Sequence, residues 1–284
     1  MGWKHTVATG LFSRQFVQAL KNEAQVQAAR ARALAPSNHR RVRALRHARG
    51  LSVNLGAGFH ARDGWTSIDL MVDPPTGIRW DVRWGLPLGD GSVRRIHCEH
   101  FFEHLRFPDE VMPALAECFR VLEPGGEFRI IVPDAARYIR AYALKDTEFF
   151  DAMRDLGGAA TPFETDIEIV NQAFRMGGDH QFAWDITVMR RRLERVGFER
   201  IEETGHDPTR FIDQTDEWRR RESLYVVAYK PHIVDRSPAV APRAGRSDLS
   251  AEGGRLRRLA VGKREITDDH HSHQFPKGGP RRPA

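Results

Sequence analysis

Three stretches of this 284-residue chain place chemistry-bearing side chains at informative spacings. The first is "NLGAGFHARDGWTSIDL", residues 54–70. A glycine turn after an apolar run lets backbone N–H groups come close to a ligand. Gly56 to Ala61 fits G-x-G-x-x-G/A, the pattern that cradles a dinucleotide. That fold needs a full helix after the turn and an acid about 20 residues on. Here Asp69 follows Gly58 by roughly half that spacing, with "FHARDG" and a strand between them. A dinucleotide is therefore disfavoured, and a smaller ligand with one ribose fits better. The second stretch is "CEHFFEHL", where His100, Glu103 and His104 stand at i, i+3, i+4, one face of a helix if the helix has begun by then. Histidine can take a proton from a hydroxyl near neutral pH. The same H-x-x-E-H spacing is also the signature of one class of zinc peptidases. The third stretch, "GGDHQFAWD", brings His180.

These residues need elements to hold them. "LSVNL" reads as a buried strand, "WTSIDL" as a second, and "VRRIHCE" as another after a turn at "LGDGS". "PDEVMPALAECFRVL" is an amphipathic helix opened by Pro108 and Asp109 and stopped by "PGG" at 124–126. "EFRIIVPD" has the continuous apolar centre of a strand covered on both faces. Asp185 can N-cap "ITVMRRRLERVGF", whose Ile186, Met189, Leu193 and Val196 make one stripe. Strands near "ERIEET" and "SLYVVAYK" close the series, giving the element order of an open α/β sheet. Before it, residues 11–49 read as helical, with Pro36 as breaker, Gly50 as C-cap, and Phe12, Phe16 and Leu20 forming a face that can dock.

At this point the chain resembles the class I S-adenosylmethionine-dependent methyltransferases, and within them the compact type 11-like group in which the first helix is reduced to a loop. The resemblance runs from about Leu51 to Pro231, through "VNLGAG", "GWTSIDL", "DVRWGLPLGDGSV", "HCEHFFEHL", "LEPGGEFRIIVPD" and "HQFAWD". It implies a Rossmann-like α/β fold: a mostly parallel seven-stranded sheet with an antiparallel last strand and helices on both faces. It implies S-adenosyl-L-methionine as cofactor, with Gly56, Ala57 and Gly58 approaching its methionine and ribose. Asp69 would accept from the ribose hydroxyls, Leu70 would pack on the adenine, Asp81 would accept from the adenine amino group and Val82 would donate through its backbone. Asn54 stands where the family usually has an acid, so either affinity is lower or Glu99 supplies the charge. Insertions such as residues 135–180 form the acceptor lid in the family, with Gly177-Gly178 as a hinge and Tyr138, Arg140 and Tyr142 toward a polar acceptor. Some relatives hold a divalent cation at an E-x-x-E-H run, but many carry the Glu–His pair without metal. The expectation here is no metal, with His180 and His100 as the catalytic residues.

The rest of the chain bounds the reading. The net charge of +6 and pI near 9.7 permit an acidic partner, though Arg is concentrated at the ends, as in solvated tails. Cys98 and Cys118 form no CxxC pair, so a reduced, cytoplasmic setting is expected. No run reaches the ~18 apolar residues of a membrane span, and the N-terminus lacks the apolar core of a secretory signal, though it is Arg-rich like a transit peptide. Expected segments are 1–50, a helical accessory piece; 51–232, the methyltransferase domain; and 233–284, a disordered basic tail rich in Gly, Pro and Arg, with "HHSHQ" solvent-exposed. The function read is methyl transfer to an oxygen of a small molecule or glycan. The alternative is a nucleic-acid-binding protein or RNA methyltransferase using its basic ends. Against it, there is neither an "NPPF"-like block after the fourth strand nor a recognisable RNA-binding module.

Overall fold

The computed structural model describes residues 13–59, 62–72, 77–156, 163–211 and 217–232. Phe12, the first residues of the chain and the segment 233–284 lie outside these. Seven strands form one sheet: β1 (Leu51–Leu55), β2 (Thr66–Asp69), β3 (Gly77–Arg79), β4 (Val93–Glu99), β5 (Leu122–Pro133), β6 (Glu199–Thr204) and β7 (Ser223–Tyr229). Their order is β3-β2-β1-β4-β5-β7-β6. β1 to β5 pair in parallel, and β7 runs antiparallel to both neighbours. The mostly parallel sheet with its antiparallel last strand is thus as expected. β3 is three residues long, too short to leave a period in the sequence, and was not located there.

The central strands are apolar on both faces because helices cover both. On one face Phe128, Ile130 and Val132 of β5 join Leu224 and Val226 of β7 in the main core. On the other, Ile131 meets Tyr225, Val227 and Phe211. Among the described helices, α1 (Arg14–Ala33) and α2 (Pro36–Leu45) precede the sheet, and α3 (Val111–Val121) follows β4. The insertion after β5 folds as α4 (Ala135–Leu144), α5 (Thr147–Leu156) and α6 (Asp166–Arg175). It has a small core of its own, built on Tyr138, Phe149, Phe150, Met153 and Ile169. α7 (Ile186–Val196) is N-capped as expected, the Asp185 carboxylate accepting from Val188 N at 2.7 Å, and its Met189 and Leu193 are buried. A short α8 (Glu217–Glu222) leads into β7.

Several local expectations shift. Pro36 begins α2 at its first turn. α2 ends at Leu45, and Gly50, in left-handed backbone, leads into β1 rather than capping the helix. α3 ends at Val121, and "PGG" lies inside β5 as an irregularity in the β4 pairing: Val93 faces Leu122 but Arg95 faces Glu127. There Gly125 N donates to Lys230 O. The Lys230 ammonium donates to the carbonyls of Phe119, Arg120 and Leu122, a cation at a helix C-terminus. Phe16 and Leu20 are 51% and 59% exposed, because α1 turns Ala29 and Ala33 inward instead. Val42 of α2 belongs to the main core. Among the described residues no helix is long and apolar enough to cross a membrane.

Candidate active site

The carboxyl ends of β1, β2 and β4 carry the glycine turn, Asp69 and the histidine stretch, the edge where open α/β sheets bind ligands. Gly56 and Gly58 both adopt positive φ, +70° and +53°. Their surroundings differ. A Cβ on Gly56 would lie 2.6 Å from Phe101 Cβ, whereas one on Gly58 would meet nothing within 4 Å. Gly56 is therefore required by the protein's own packing, while Gly58 borders open space. Ala57 between them is buried. The Asp69 carboxylate ends β2 and accepts from Met71 N at 2.6 Å and from the Gly58 backbone, so it ties the turn to the strand end. Burial raises its pKa despite those bonds, and the nearby His104 opposes the rise. Leu70 follows, half-buried.

Asp81 is 3% exposed and heavily engaged. It accepts from Arg30 Nε at 2.7 Å, Arg83 Nε at 2.8 Å, Arg83 Nη2 at 3.0 Å and Arg83 N at 3.1 Å. A carboxylate offers about four lone-pair positions. An adenine amino group would have to share with or displace one of these donors. Val82 is buried at the start of a short 3₁₀ turn. Glu99 closes β4 with its oxygens 3.8 Å from Arg219 and from His97, so its charge is already faced by a guanidinium.

The segment after β4 is not an α-helix. His100, at φ +45°, precedes a 3₁₀ turn Phe102–His104. Its Nδ1 is 3.1 Å from Glu103 Oε1 and its Nε2 3.0 Å from Ser223 Oγ. The carboxylate can only accept, so Nδ1 donates and Nε2 accepts from the serine hydroxyl. No ring nitrogen of His100 is left for a substrate, contrary to the catalytic role expected of it. Glu103 is 1% exposed. Burial pushes its pKa up, but His100 and His104 outweigh that and hold it low. Its Oε2 is buried with no hydrogen-bond partner. The chain after the insertion returns here, since Gln181 N and Phe182 N donate to the Glu103 carbonyl at 2.7 and 3.2 Å. His104 and His180 meet with ring centroids 4.9 Å apart. His104 Nδ1 lies 3.3 Å from Asp179 Oδ2, and His180 Nδ1 lies 2.6 Å from Ala173 O. Burial depresses the His180 pKa. In His104 the Asp179 and Glu103 carboxylates reverse that effect of burial and raise it.

Residues 76–130, which span β3, Asp81, the histidine stretch, α3 and most of β5, match the family model of the methyltransferase domain. That segment thus carries the match to a methyltransferase domain. No curated protein matches the chain. Among solved structures it is similar to an S-adenosylmethionine-dependent methyltransferase from Archaeoglobus fulgidus, at 12% identity and a TM-score of 0.40, over 77% of this chain and 100% of that one. It is also similar to one from Mesorhizobium loti, at 17% identity and a TM-score of 0.38, over 66% and 95%.

Other residues near this edge lie elsewhere than the sequence implies, or carry no motif. Tyr138, expected toward an acceptor, is 2% exposed and donates its hydroxyl to Glu222 Oε2. Arg140 and Tyr142 on the same helix are exposed. Glu222 is itself buried, and that burial raises its pKa. Glu222, Ser223 and Arg30 had no motif to mark them; each reaches the site through a contact distant in sequence. Gly177 and Gly178 sit in left-handed backbone where a Cβ would meet nothing within 4 Å.

Proposed function

We propose that this class I methyltransferase transfers a methyl group to an oxygen of a small molecule or glycan, in the cytoplasm. S-adenosylmethionine, the cofactor of its class, supplies an electrophilic methyl on a sulfonium. The residues at the sheet edge fit it: Gly58 borders open space, and the Asp69 carboxylate stands beside that turn where the ribose hydroxyls would donate to it. Gly56, Ala57, Leu70, Asp81 and Val82 are assigned to the same cradle, Asp81 sharing its carboxylate with Arg30 and Arg83. Glu99 is assigned the charge that Asn54 does not supply.

In-line methyl transfer needs little covalent help from the protein, so alignment carries most of it, and an oxygen acceptor must also lose a proton. The observation that carries the oxygen reading is the His104–His180 pair, close enough to Asp69 for His104 to influence its ionisation. We assign acceptor deprotonation to the cluster around His180 rather than to His100. His100 instead positions Glu103. The helical insertion α4–α6 is assigned as the acceptor lid.

Calorimetry tests the cofactor half. One S-adenosylmethionine site per chain is expected, and Asp69→Ala should weaken it by about 2–3 kcal/mol, as for hydrogen bonds to a charged acceptor. Thermal unfolding of the same variant separates loss of ribose contacts from a loosened turn. Tight NAD binding without any response to S-adenosylmethionine would end the assignment. A panel of hydroxyl acceptors with the labelled cofactor tests the other half, and selective methylation of RNA would overturn the acceptor class.

A further inference from the structure

We infer that Glu103, His104 and His180 form a divalent-metal site of the zinc type at the acceptor edge. One potential ligand atom from each lies within 4.8 Å of the others. Two ligands on a tetrahedral zinc stand roughly 3.3 Å apart, so small side-chain rotations close the set. The tautomers follow from the partners. Ala173 O can only accept, so His180 Nδ1 carries the hydrogen and the lone pair of the neutral ring is on Nε2. His104 Nδ1 faces two acceptors, Asp179 Oδ2 and Asp179 O, each at 3.3 Å, which puts the lone pair of its neutral ring on Nε2, 4.0 Å from Glu103 Oε1. Two imidazole lone pairs and a carboxylate therefore share one small space.

The independent sign of a ligand is Glu103 Oε2. It belongs to a side chain 1% exposed, yet nothing donates to it. A desolvated carboxylate oxygen without a partner is costly, and a cation held by the Glu103 carboxylate removes the cost. The outer contacts are also those of a metal centre: each ring donates its other N–H to an oxygen, which fixes its orientation and raises its basicity. Two imidazoles and one carboxylate suit zinc, whereas magnesium prefers oxygen throughout. Three protein ligands leave a fourth position open. This deepens the proposed function, since an acceptor oxygen bound there would lose its proton more readily. The existence of the site does not depend on that reading.

The test uses the full chain, with zinc itself as the probe. His270, His271 and His273 in "HHSHQ" can also hold metal, so the reference protein carries His270→Ala, His271→Ala and His273→Ala. Elemental analysis should find close to one zinc per chain in that reference, and cobalt substitution should give the visible absorption of a low-coordinate nitrogen–oxygen site. Glu103→Gln or His180→Asn should each cut zinc affinity at least tenfold, and Asp179→Asn, which keeps all three ligands, about tenfold. If a variant misfolds, the cobalt spectrum of the reference protein still decides. Metal that disappears with the tail histidines, or a reference protein with neither zinc nor a cobalt band, overturns the inference. S-adenosylmethionine binding is measured on the same samples. Zinc without cofactor binding would sink the methyltransferase reading alone, and cofactor binding without zinc would sink the metal site alone.

Discussion

Gly56 and Gly58 share one turn and one backbone handedness, yet they answer to different constraints. For Gly56→Ala, left-handed strain of ~1–2 kcal/mol adds to the overpacking of Phe101, itself ~1–3 kcal/mol. Urea unfolding should show a loss of about 2–5 kcal/mol. Gly58→Ala should lose only the strain, about 1–2 kcal/mol, but its Cβ enters the open space and should weaken S-adenosylmethionine at least tenfold. Unchanged cofactor affinity in Gly58→Ala would show that the turn is not the cradle. Glu222 presents a second contrast. Burial raises its pKa above the ordinary 4.5, despite the bond from Tyr138 and the nearby Arg219 charge. The folded state therefore holds this proton more tightly than the unfolded chain. Its contribution is present below about pH 4.5 and is lost as pH rises through the folded value. Glu222→Gln keeps an acceptor for Tyr138 and removes the buried charge, so its melting temperature should fall less than the parent's between pH 5 and pH 8, roughly the range of such shifts. An identical pH profile would mean that Glu222 does not carry this linkage.

At the scale of elements, the N-terminal helices are joined to β3 and the Asp81 turn by side chains. Asn38 of α2 donates to Arg79 O at 2.9 Å and accepts from Arg79 N at 3.0 Å, which pins the end of β3. Arg30 of α1 reaches Asp81 and lies over the Trp84 ring at 5.8 Å. Burial would raise the Asp81 pKa, but hydrogen bonds from Arg83 and Arg30 outweigh it and hold the carboxyl below its usual 3.8. This stabilisation is present above about pH 3.8 and is lost as pH falls through the folded value. Arg30→Ala should therefore cost about 1–2 kcal/mol at pH 7, since Arg83 remains and Arg30 is partly exposed. The difference from the parent should shrink in acid, as followed by denaturant titration at pH 7 and pH 3. The variant also frees an acceptor position on Asp81, so S-adenosylmethionine should bind a few-fold tighter. A tenfold loss would show instead that Arg30 is part of the cradle.

At the scale of the whole molecule, the seven strands among the described residues are complete by Tyr229 and the α3 C-terminus is held by Lys230. Removing residues 233–284, whose composition lacks the apolar pattern of a packed element, should leave melting temperature and cofactor affinity unchanged. A clear fall in either would show that the segment packs on the domain. The basic charge has a local focus in a groove of about 470 Å³ lined by His39, Arg40, Val42, Arg43, Arg46 and Trp80. If the chain binds RNA, that binding should be weak at this groove and fall steeply with salt. Tight, sequence-selective binding by the truncated protein would favour the alternative acceptor.

The sequence by itself determined what is written in neighbouring residues. β1, β2 and β4 follow from apolar runs between turns, α7 from a four-residue apolar stripe behind an Asp185 cap, and the place of Asp69 from its distance to the glycine turn. Periodicity and capping act within one or two turns of chain, so local reading reaches them. Tertiary structure alone decided which glycine borders open space, that Arg30 occupies Asp81 across 51 positions, that Ser223 takes His100 across 123, and that Glu222 accepts from the Tyr138 hydroxyl. It also separated His100 from the His104–His180 pair and brought Glu103 between them. Those contacts join segments that only the assembled sheet and the returning insertion bring together, and no local spacing encodes a distance between residues so far apart in the chain.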